Sequence, residues 1–249
     1  MRKVLLIIVF IFTVTVVFAE RDPLMLQKEN SNIPLIQLLQ GDRLIVSLLH
    51  DQWFLLPDDI NVSVFQPGFG LQAMYPFTKN RVGIALGFSL SSHNFYSDAM
   101  PRNLPYKDDE DVLQDYTGFT PLDSLTSSMD AFSYKKNKLN VTYIELPVEF
   151  RFAAGEEKKL RFAAGFKFGM LISDHTKYKG DDYRYFSESQ IKEKRFNIPY
   201  IARIKYGPTL RINYGKFSVS CHYPLVSLFE TNKGPEMYPI TFGLGYSVL

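Results

Sequence analysis

Long stretches of this chain alternate apolar side chains with small or charged ones at a period of two. In residues 160–172, apolar side chains such as Phe162 and Phe168 occupy the even positions, whereas Arg161 and Lys167 share the odd positions with alanine and glycine. Successive side chains of a β-strand point to opposite faces, so this segment is predicted to be a long strand with one apolar and one polar face. An amphipathic helix would repeat at 3.6 residues instead.

Eight segments follow this pattern, the first of them weakly. They are residues 44–53, 65–77, 82–90, 139–152, 160–172, 202–214, 217–225 and 240–248. Short connections (78–80, 153–158 and 214–216) alternate with long ones (55–64, 95–138, 173–197 and 226–237). This alternation is typical of outer-membrane barrels, which have short periplasmic turns and long extracellular loops. The sequence therefore predicts an all-β fold, an eight-stranded up-and-down antiparallel transmembrane β-barrel.

The composition of the two faces indicates which one is outside. A water-soluble barrel of the lipocalin type also has eight strands, but its interior is apolar and its exterior polar. Here one face of most strands is aromatic or aliphatic, and the other carries glycine, serine, threonine and charged residues. Lipid around the barrel explains this distribution better. We therefore expect the phenylalanines to contact lipid and the charged residues to project into the lumen.

The first 19 residues have the pattern of a cleaved signal peptide. Arg2 and Lys3 precede a continuous apolar run at 4–18, and Ala19 follows it. An uncleaved anchor is the alternative, but the run is shorter than the ~30 Å hydrocarbon core requires. Cleavage after Ala19 predicts a periplasmic segment at 20–41 and a barrel at 42–249. It also removes two bases and no acids, which leaves no net charge and argues against nucleic acid as a partner.

Charged residues are predicted to form a network in the lumen. The candidates are Glu145, Glu149, Arg151, Arg161, Lys167, Arg203, Lys205 and Arg211. The interior of an eight-stranded barrel is only wide enough for side chains, so these charges must pair. If Arg151 lies opposite Arg161, Glu145 lies opposite Lys167, although a register shifted by two residues keeps the same facing. We interpret the network as a structural salt-bridge core; binding of an anion or an acidic segment by the surplus bases is the alternative.

No motif indicates catalysis, a metal or a cofactor. His50, His93 and His175 fall near strand ends, where some outer-membrane hydrolases carry serine and histidine, but they lack a recognisable ligand spacing. Ser92 and His93 should point to opposite faces of their strand. Ser91 shares the face of His93 without a nucleophile elbow. We predict that the protein is not an enzyme.

The longest connection, residues 95–138, contains an acidic run at 108–111 together with many aromatic residues and prolines. Four adjacent carboxylates could hold calcium, but the spacing of an EF-hand is absent, so a solvated acidic loop is favoured. The aromatic content predicts an ordered outer loop that covers the barrel mouth or contacts a partner. The lone Cys221 excludes an internal disulfide framework.

The chain resembles the PorT-like outer-membrane β-barrel proteins of Bacteroidetes over roughly residues 44–249. The likeness lies in the signal peptide, TYIELPVEFRF at 142–152, GFKFG at 165–169, YGPTLRINYG at 206–215 and a final strand that runs to the last residue. Such barrels usually end in a lipid-facing aromatic residue. Here Leu249 falls on the face of Gly243, Gly245 and Ser247, and Tyr246 is the aromatic residue on the lipid face.

The resemblance implies an eight-stranded barrel, and the family's namesake takes part in type IX secretion. We therefore expect a structural or accessory component of a cell-envelope complex, related to protein secretion, with outer-membrane lipid and other envelope proteins as partners. The alternative is a small barrel that binds a solute or lipid, or modifies a lipid, through its lumen or rim.

Overall fold

The computed structural model describes residues 44–77, 82–107, 111, 113–125, 132–154, 160–185 and 187–248. The predicted signal peptide, the segment 20–41, Leu249 and residues 108–110 of the acidic run lie outside these residues. The strands are β1 (Leu44–Phe54), β2 (Pro67–Pro76), β3 (Val82–Tyr96), β4 (Ala99–Asn103), β5 (Tyr106–Lys107), β6 (Leu113–Gln114), β7 (Thr117–Pro121), β8 (Tyr134–Ala154), β9 (Leu160–Asp182), β10 (Ser187–Phe196), β11 (Ile204–Tyr214), β12 (Phe217–His222) and β13 (Tyr238–Ser247). One turn of helix, α1 (Leu122–Leu125), follows β7.

Eight of these strands close into a ring. Its order is β1, β2, β3, β8, β9, β11, β12 and β13, and β13 pairs with β1 again. Each pairing around the ring is antiparallel. The predicted eight-stranded antiparallel barrel is confirmed. No helix within the described residues is long and apolar enough to cross a bilayer.

Over the segments that the alternation predicted, the large apolar side chains of the ring lie mostly outside and the charged ones inside. On β8, the Phe150 side chain is 55% exposed, while the adjacent Glu149 is 2% exposed. Leu48, Phe88 and Leu244 are likewise well exposed on other strands. Water-soluble monomers rarely expose contiguous apolar surface beyond a few hundred Å². The encircling apolar surface is therefore the lipid-facing side, as the alternation predicted.

The register between β8 and β9 differs by two residues from one that pairs Arg151 with Arg161. Arg151 lies opposite Ala163, and Glu145 lies opposite Gly169. The expectation that Arg151 faces Arg161 is therefore wrong, and the register shifted by two residues is the one that forms. The shift keeps every side chain on its predicted face because the strand period is two. It also keeps two arginines from facing each other directly across the strand pair.

The predicted loop at 173–197 is wrong, because β9 continues through it to Asp182 and β10 returns alongside. The pairing of β9 with β8 shifts by one residue between Leu171 and Ser173, so Ile172 is an extra residue, a β-bulge. Beyond the bulge, the outward positions of β9 become odd-numbered and carry polar residues. This part of the strand therefore lacks the alternation of apolar and polar residues by which a strand is recognised in the sequence.

The end of the barrel that carries the long connections, called the loop end here, is filled by an apolar cluster. Trp53, Phe95 and Phe229 are buried there, and Phe119 from β7 packs against them. The strands β4 and β7 form a hairpin. The longest connection is thus ordered over its described residues and covers the barrel mouth. The opposite end, with the short connections, is the turn end; there Gly215, with φ of +58°, allows the tight turn between β11 and β12.

Candidate functional site: the polar network of the lumen

Small residues on β9 let long side chains from its two neighbours meet in the lumen. Gly169 pairs with Glu145 of β8 on one side and with Lys205 of β11 on the other. A Cβ atom on Gly169 would lie 3.1 Å from Cγ of Lys205 and 3.3 Å from Cγ of Glu145. Ala163 has the same position between Arg151 and Arg211. The small lumen-facing residues of β9 therefore make room for ion pairs that bridge β8 and β11.

Glu149 is the centre of the first group of ion pairs. Arg211 Nη2 lies 2.5 Å and Arg151 Nε lies 3.0 Å from Oε2 of Glu149. Gln72 of β2 donates a hydrogen bond of 3.2 Å from Nε2 to Oε1. This buried carboxylate thus has two cationic partners and one amide partner. Charge-assisted bonds of this kind are among the stronger hydrogen bonds in proteins.

Glu145 is the centre of the second group, which lies closer to the loop end. Lys205 Nζ lies 2.9 Å from Oε1, and Lys167 Nζ lies 3.6 Å from Oε2. Ser91 of β3 donates a hydrogen bond of 2.8 Å to Oε1. The Lys205 ammonium also lies 4.3 Å from the centre of the Tyr143 ring. The predicted pairing of Glu145 with Lys167 is present, although it spans the diagonal rather than directly opposed positions.

A third group extends the network to β1 and β13. His93 Nδ1 lies 3.0 Å from both carboxylate oxygens of Asp51, and Thr241 donates a hydrogen bond of 2.6 Å to Asp51 Oδ1. Lys205 Nζ lies 3.0 Å from His93 Nε2, which joins this group to Glu145. The network therefore connects strands on opposite sides of the ring. It ends below the apolar cluster that contains Trp53.

Two of the predicted lumen residues lie apart from these three groups. Arg161 is at the turn end, where its Nη2 donates a hydrogen bond of 2.7 Å to the carbonyl oxygen of Gly215. Arg203 precedes β11 and is exposed, and within the described residues its side chain has no carboxylate within 4 Å. Its odd number matches the lumen-facing residues of β11, but the strand begins only at Ile204.

The sequence did not place Asp51, Gln72 or Thr241 in the network. Ser91 and His93 were candidates for catalysis, and His93 was also a candidate for a metal site. All five side chains face the lumen. The available signal was the continuation of the β3 alternation beyond Leu90, which places Ser91 and His93 on the face of Ser89. The strand β1 alternates weakly, so Asp51 gave no comparable signal.

Ser91, His93 and Asp51 have the spacing of a nucleophile, base and orienting acid, since Ser91 Oγ lies 3.0 Å from His93 Nε2. The surroundings do not suit that chemistry. Lys205 occupies the second approach to His93 Nε2, and the Ser91 hydroxyl donates to Glu145. Ser91 and His93 are 4% and 3% exposed. The adjoining cavity is about 20 Å³, which is close to the size of a single water molecule rather than a substrate.

The three histidines considered as a rim site do not come together. His93 faces the lumen. His50 instead stacks on Phe65, with ring centres 5.6 Å apart, and the ring centres of His175 and Phe196 are 5.5 Å apart. Across the described part of the chain, no group of three histidine, cysteine or acidic residues is arranged to hold a metal ion.

Comparison with known proteins identifies the fold family. The family model described as outer membrane protein beta-barrel domain matches residues 54–230, which is well over half of the chain. The chain belongs to this family. An outer membrane protein β-barrel domain places the protein in the bacterial outer membrane, in contact with its lipid, which agrees with the encircling apolar surface.

Two solved structures of Ail, the attachment invasion locus protein of Yersinia pestis, are similar to the chain. One, in complex with the heparin analogue sucrose octasulfate, is 14% identical, with a TM-score of 0.35, and the match covers 81% of this chain and 94% of Ail. The other is 13% identical, with a TM-score of 0.37, and the match covers 81% and 93%. No match was found among curated protein sequences.

Proposed function

We propose that this outer-membrane barrel is a closed structural component that holds partner proteins of a cell-envelope complex, rather than a pore or an enzyme. The single observation that carries the proposal is the filled interior. Ion pairs around Glu145 and Glu149 occupy the lumen, and the apolar cluster with Trp53 closes the loop end. A solute would have to displace both groups to pass.

The proposed orientation places the turn end in the periplasm and the loop end outside the cell. Short periplasmic turns and longer outer loops are the usual arrangement in bacterial barrels. The cleaved signal peptide, the cleavage after Ala19 and a periplasmic segment at 20–41 are parts of the same proposal. The resemblance to PorT-like proteins of Bacteroidetes makes type IX secretion the process in which we place the complex.

The ordered loop end supports a role in binding other proteins. The hairpin of β4 and β7 packs on the mouth, and a second apolar cluster with Met100, Tyr178 and Tyr183 lies between that hairpin and the β9–β10 extension. These surfaces are fixed by packing, so a partner would bind them without first ordering them. Rigid surfaces of this kind suit a stable complex.

Affinity purification from detergent-solubilised membranes, followed by mass spectrometry, tests the proposal. We expect the tagged protein to retain one or more envelope proteins in stoichiometric amounts. An eight-stranded barrel of another family, tagged and expressed at the same level, is the control for nonspecific retention. Repeated recovery of the protein alone, with the barrel intact, would contradict the accessory role.

A lipid- or solute-binding role is the second candidate, and one groove favours it. A groove of about 570 Å³ lies between the start of β11 and the connection before β13, where the exposed Arg203 stands beside the apolar Tyr206 and Leu225. Glu230 and Glu236 line the same groove, so one cation and two carboxylates stand beside apolar side chains, which suits an amphiphile with a zwitterionic headgroup. An Arg203→Gln variant should then retain less lipid after purification than the unchanged protein, as measured by native mass spectrometry; equal retention would remove this candidate.

A further inference from the structure

Six lysines form two rows across three neighbouring strands at the loop end. In one row, Lys177 of β9 lies opposite both Lys138 of β8 and Lys194 of β10. In the other, Lys179 lies opposite Lys136 and Lys192 in the same manner. Directly opposed side chains in a sheet have Cβ atoms about 4.5–5.5 Å apart, and like charges in such positions repel. These six residues are called the lysine face.

The charge of the lysine face is not compensated within the described residues. None of the six ammonium groups there has a carboxylate within 4 Å. Instead, Lys138 donates a hydrogen bond to Oδ1 of Asn94, and Lys136 and Lys138 lie 5.6 and 5.5 Å from the centre of the Tyr96 ring. Lys194 lies 4.4 Å from the centre of the Phe196 ring. Neutral and aromatic neighbours thus hold the lysines in place while the positive charge remains available.

The acidic residue between the two lysines of β10 points the other way. Glu193 of β10 lies on the opposite face, where it binds Arg195 and the Tyr183 hydroxyl. On the lysine face itself, burial and the charges of Lys136, Lys177 and Lys194 lower the pKa of Lys138, on the part of β8 beyond the apolar surface, to about 8. Crowded cations of this kind gain stability when an anion binds.

The position of the lysine face relative to the lipid narrows the choice of ligand. On β8, Lys136 and Lys138 lie on the same side as Ile144 and Leu146, which are exposed on the lipid-facing surface. Lys138 precedes Ile144 by six positions, which corresponds to about 20 Å of strand and, at the usual tilt, about 15 Å along the membrane normal. The lysine face therefore lies at the height of lipid headgroups and continues the surface that contacts acyl chains.

We propose that the lysine face binds the phosphate groups of a phosphorylated glycolipid of the outer leaflet, with the acyl chains of the same lipid on the apolar surface below. The proposal rests on the orientation given under the proposed function, with the loop end outside the cell. Both parts of one lipid molecule find a complementary surface on one side of the barrel. An acidic protein or a soluble glycan would use the lysines but leave their continuity with the apolar surface unexplained.

Native mass spectrometry of the purified, folded full-length protein tests the proposal. The probes are lipid A with its phosphates, the same lipid after phosphatase treatment, and a soluble sulfated oligosaccharide. The test variant is Lys138→Gln/Lys177→Gln/Lys194→Gln, which removes one whole row. The matched control is Arg102→Gln/Lys135→Gln/Lys216→Gln, which removes three exposed charges elsewhere. Heat-modifiable migration on gels shows that each variant is folded.

We expect phosphorylated lipid A to bind the unchanged protein and the control variant with similar affinity. The row variant should bind it roughly 100-fold more weakly, given the attraction of each basic residue to an anionic membrane surface. Dephosphorylated lipid A should bind weakly to all three proteins. The proposal is overturned if the two lipids bind equally, if the row variant binds like the control, or if only the sulfated oligosaccharide depends on the row. Because no partner protein takes part, this result is independent of the test of the accessory role.

Discussion

The lumen network and the lysine face are both rich in basic residues, but the bases are paired with carboxylates only in the lumen. In the lumen, Lys205 and Arg211 each contact a buried glutamate, at 2.9 and 2.5 Å. On the lysine face, none of the six ammonium groups has a described carboxylate within 4 Å. An ion enclosed by protein must be paired within the fold, whereas an exposed one can remain unpaired until a ligand arrives. The difference separates charges that hold the barrel together from charges that are available to something outside it.

Removal of one lumen carboxylate should have the largest effect on stability. Glu145→Gln leaves Lys205 and Lys167 in the interior without their counter-charge. We expect a loss of about 3–5 kcal/mol in the free energy of unfolding, the usual result of breaking a buried ion pair. Urea unfolding of the barrel in lipid vesicles, followed by tryptophan fluorescence, measures it. The exposed Glu230→Gln is the control and should leave the unfolding midpoint unchanged; equal midpoints for both variants would contradict the structural role of the network.

A double substitution tests whether Glu145 and Lys205 stabilise the barrel as a pair. Replacing Glu145 by Leu and Lys205 by Met removes both charges and fills the space with apolar atoms. Such replacements of buried ion pairs are often neutral. We expect the double variant to unfold at a higher urea concentration than either single variant. If the losses of the single variants simply add, the two side chains do not act as a pair.

The barrel and the direction of its side chains could be predicted because both depend on a local pattern. Alternation within one strand indicates which residues face lipid, without knowledge of the neighbouring strand. The register could not be predicted in this way, because a shift of two residues leaves the facing unchanged. The contact between Asp51 and Thr241 requires the closed ring, since the two residues lie at opposite ends of the barrel sequence.

The lysine face also could not be predicted from the sequence, because it depends on how neighbouring strands are aligned. Its rows depend on the β-bulge at Ile172, which reverses the facing of β9 and aligns Lys177 with Lys138. With polar residues on both faces, residues 173–179 show no apolar period, so the sequence predicts a loop there. Arg203 was wrongly predicted to face the lumen. Its odd number matches the lumen-facing residues of β11, but the strand begins one residue later, at Ile204.

Charge reversal at the centre of the lysine face should stabilise the protein. Lys177→Glu places a carboxylate between Lys138 and Lys194 and turns two repulsive cross-strand pairs into attractive ones. Pairs of this kind contribute about 0.2–1 kcal/mol each, so we expect a small rise in the melting temperature in detergent without lipid A. The control is Lys135→Glu, outside the two rows. A melting temperature that falls for Lys177→Glu but not for Lys135→Glu would show that the described lysines already have acidic partners.

Acidification should have the smallest effect, confined to the tip of the β9–β10 extension. Partial burial raises the pKa of Glu193, but hydrogen bonds from Arg195 and Tyr183 outweigh burial and lower the pKa below its ordinary value. A carboxyl group with a lowered pKa contributes stability above the unfolded pKa of about 4.3, and this contribution is lost as pH falls through the folded value. Hydrogen exchange, corrected for intrinsic rates, should therefore become faster in β10 between pH 5 and pH 3 (about the range of this titration).

The Glu193→Gln variant is the control for this pH effect. It retains a side chain of the same size but has no carboxyl group to titrate, so exchange in β10 should lose its extra acid dependence. Exchange in β12 should not change over the same range in either protein, because Glu193 lies outside the ring. If Glu193→Gln and the unchanged protein respond to acid in the same way, another group controls the tip, and the pairing of Glu193 with Arg195 contributes no more than an isolated surface ion pair.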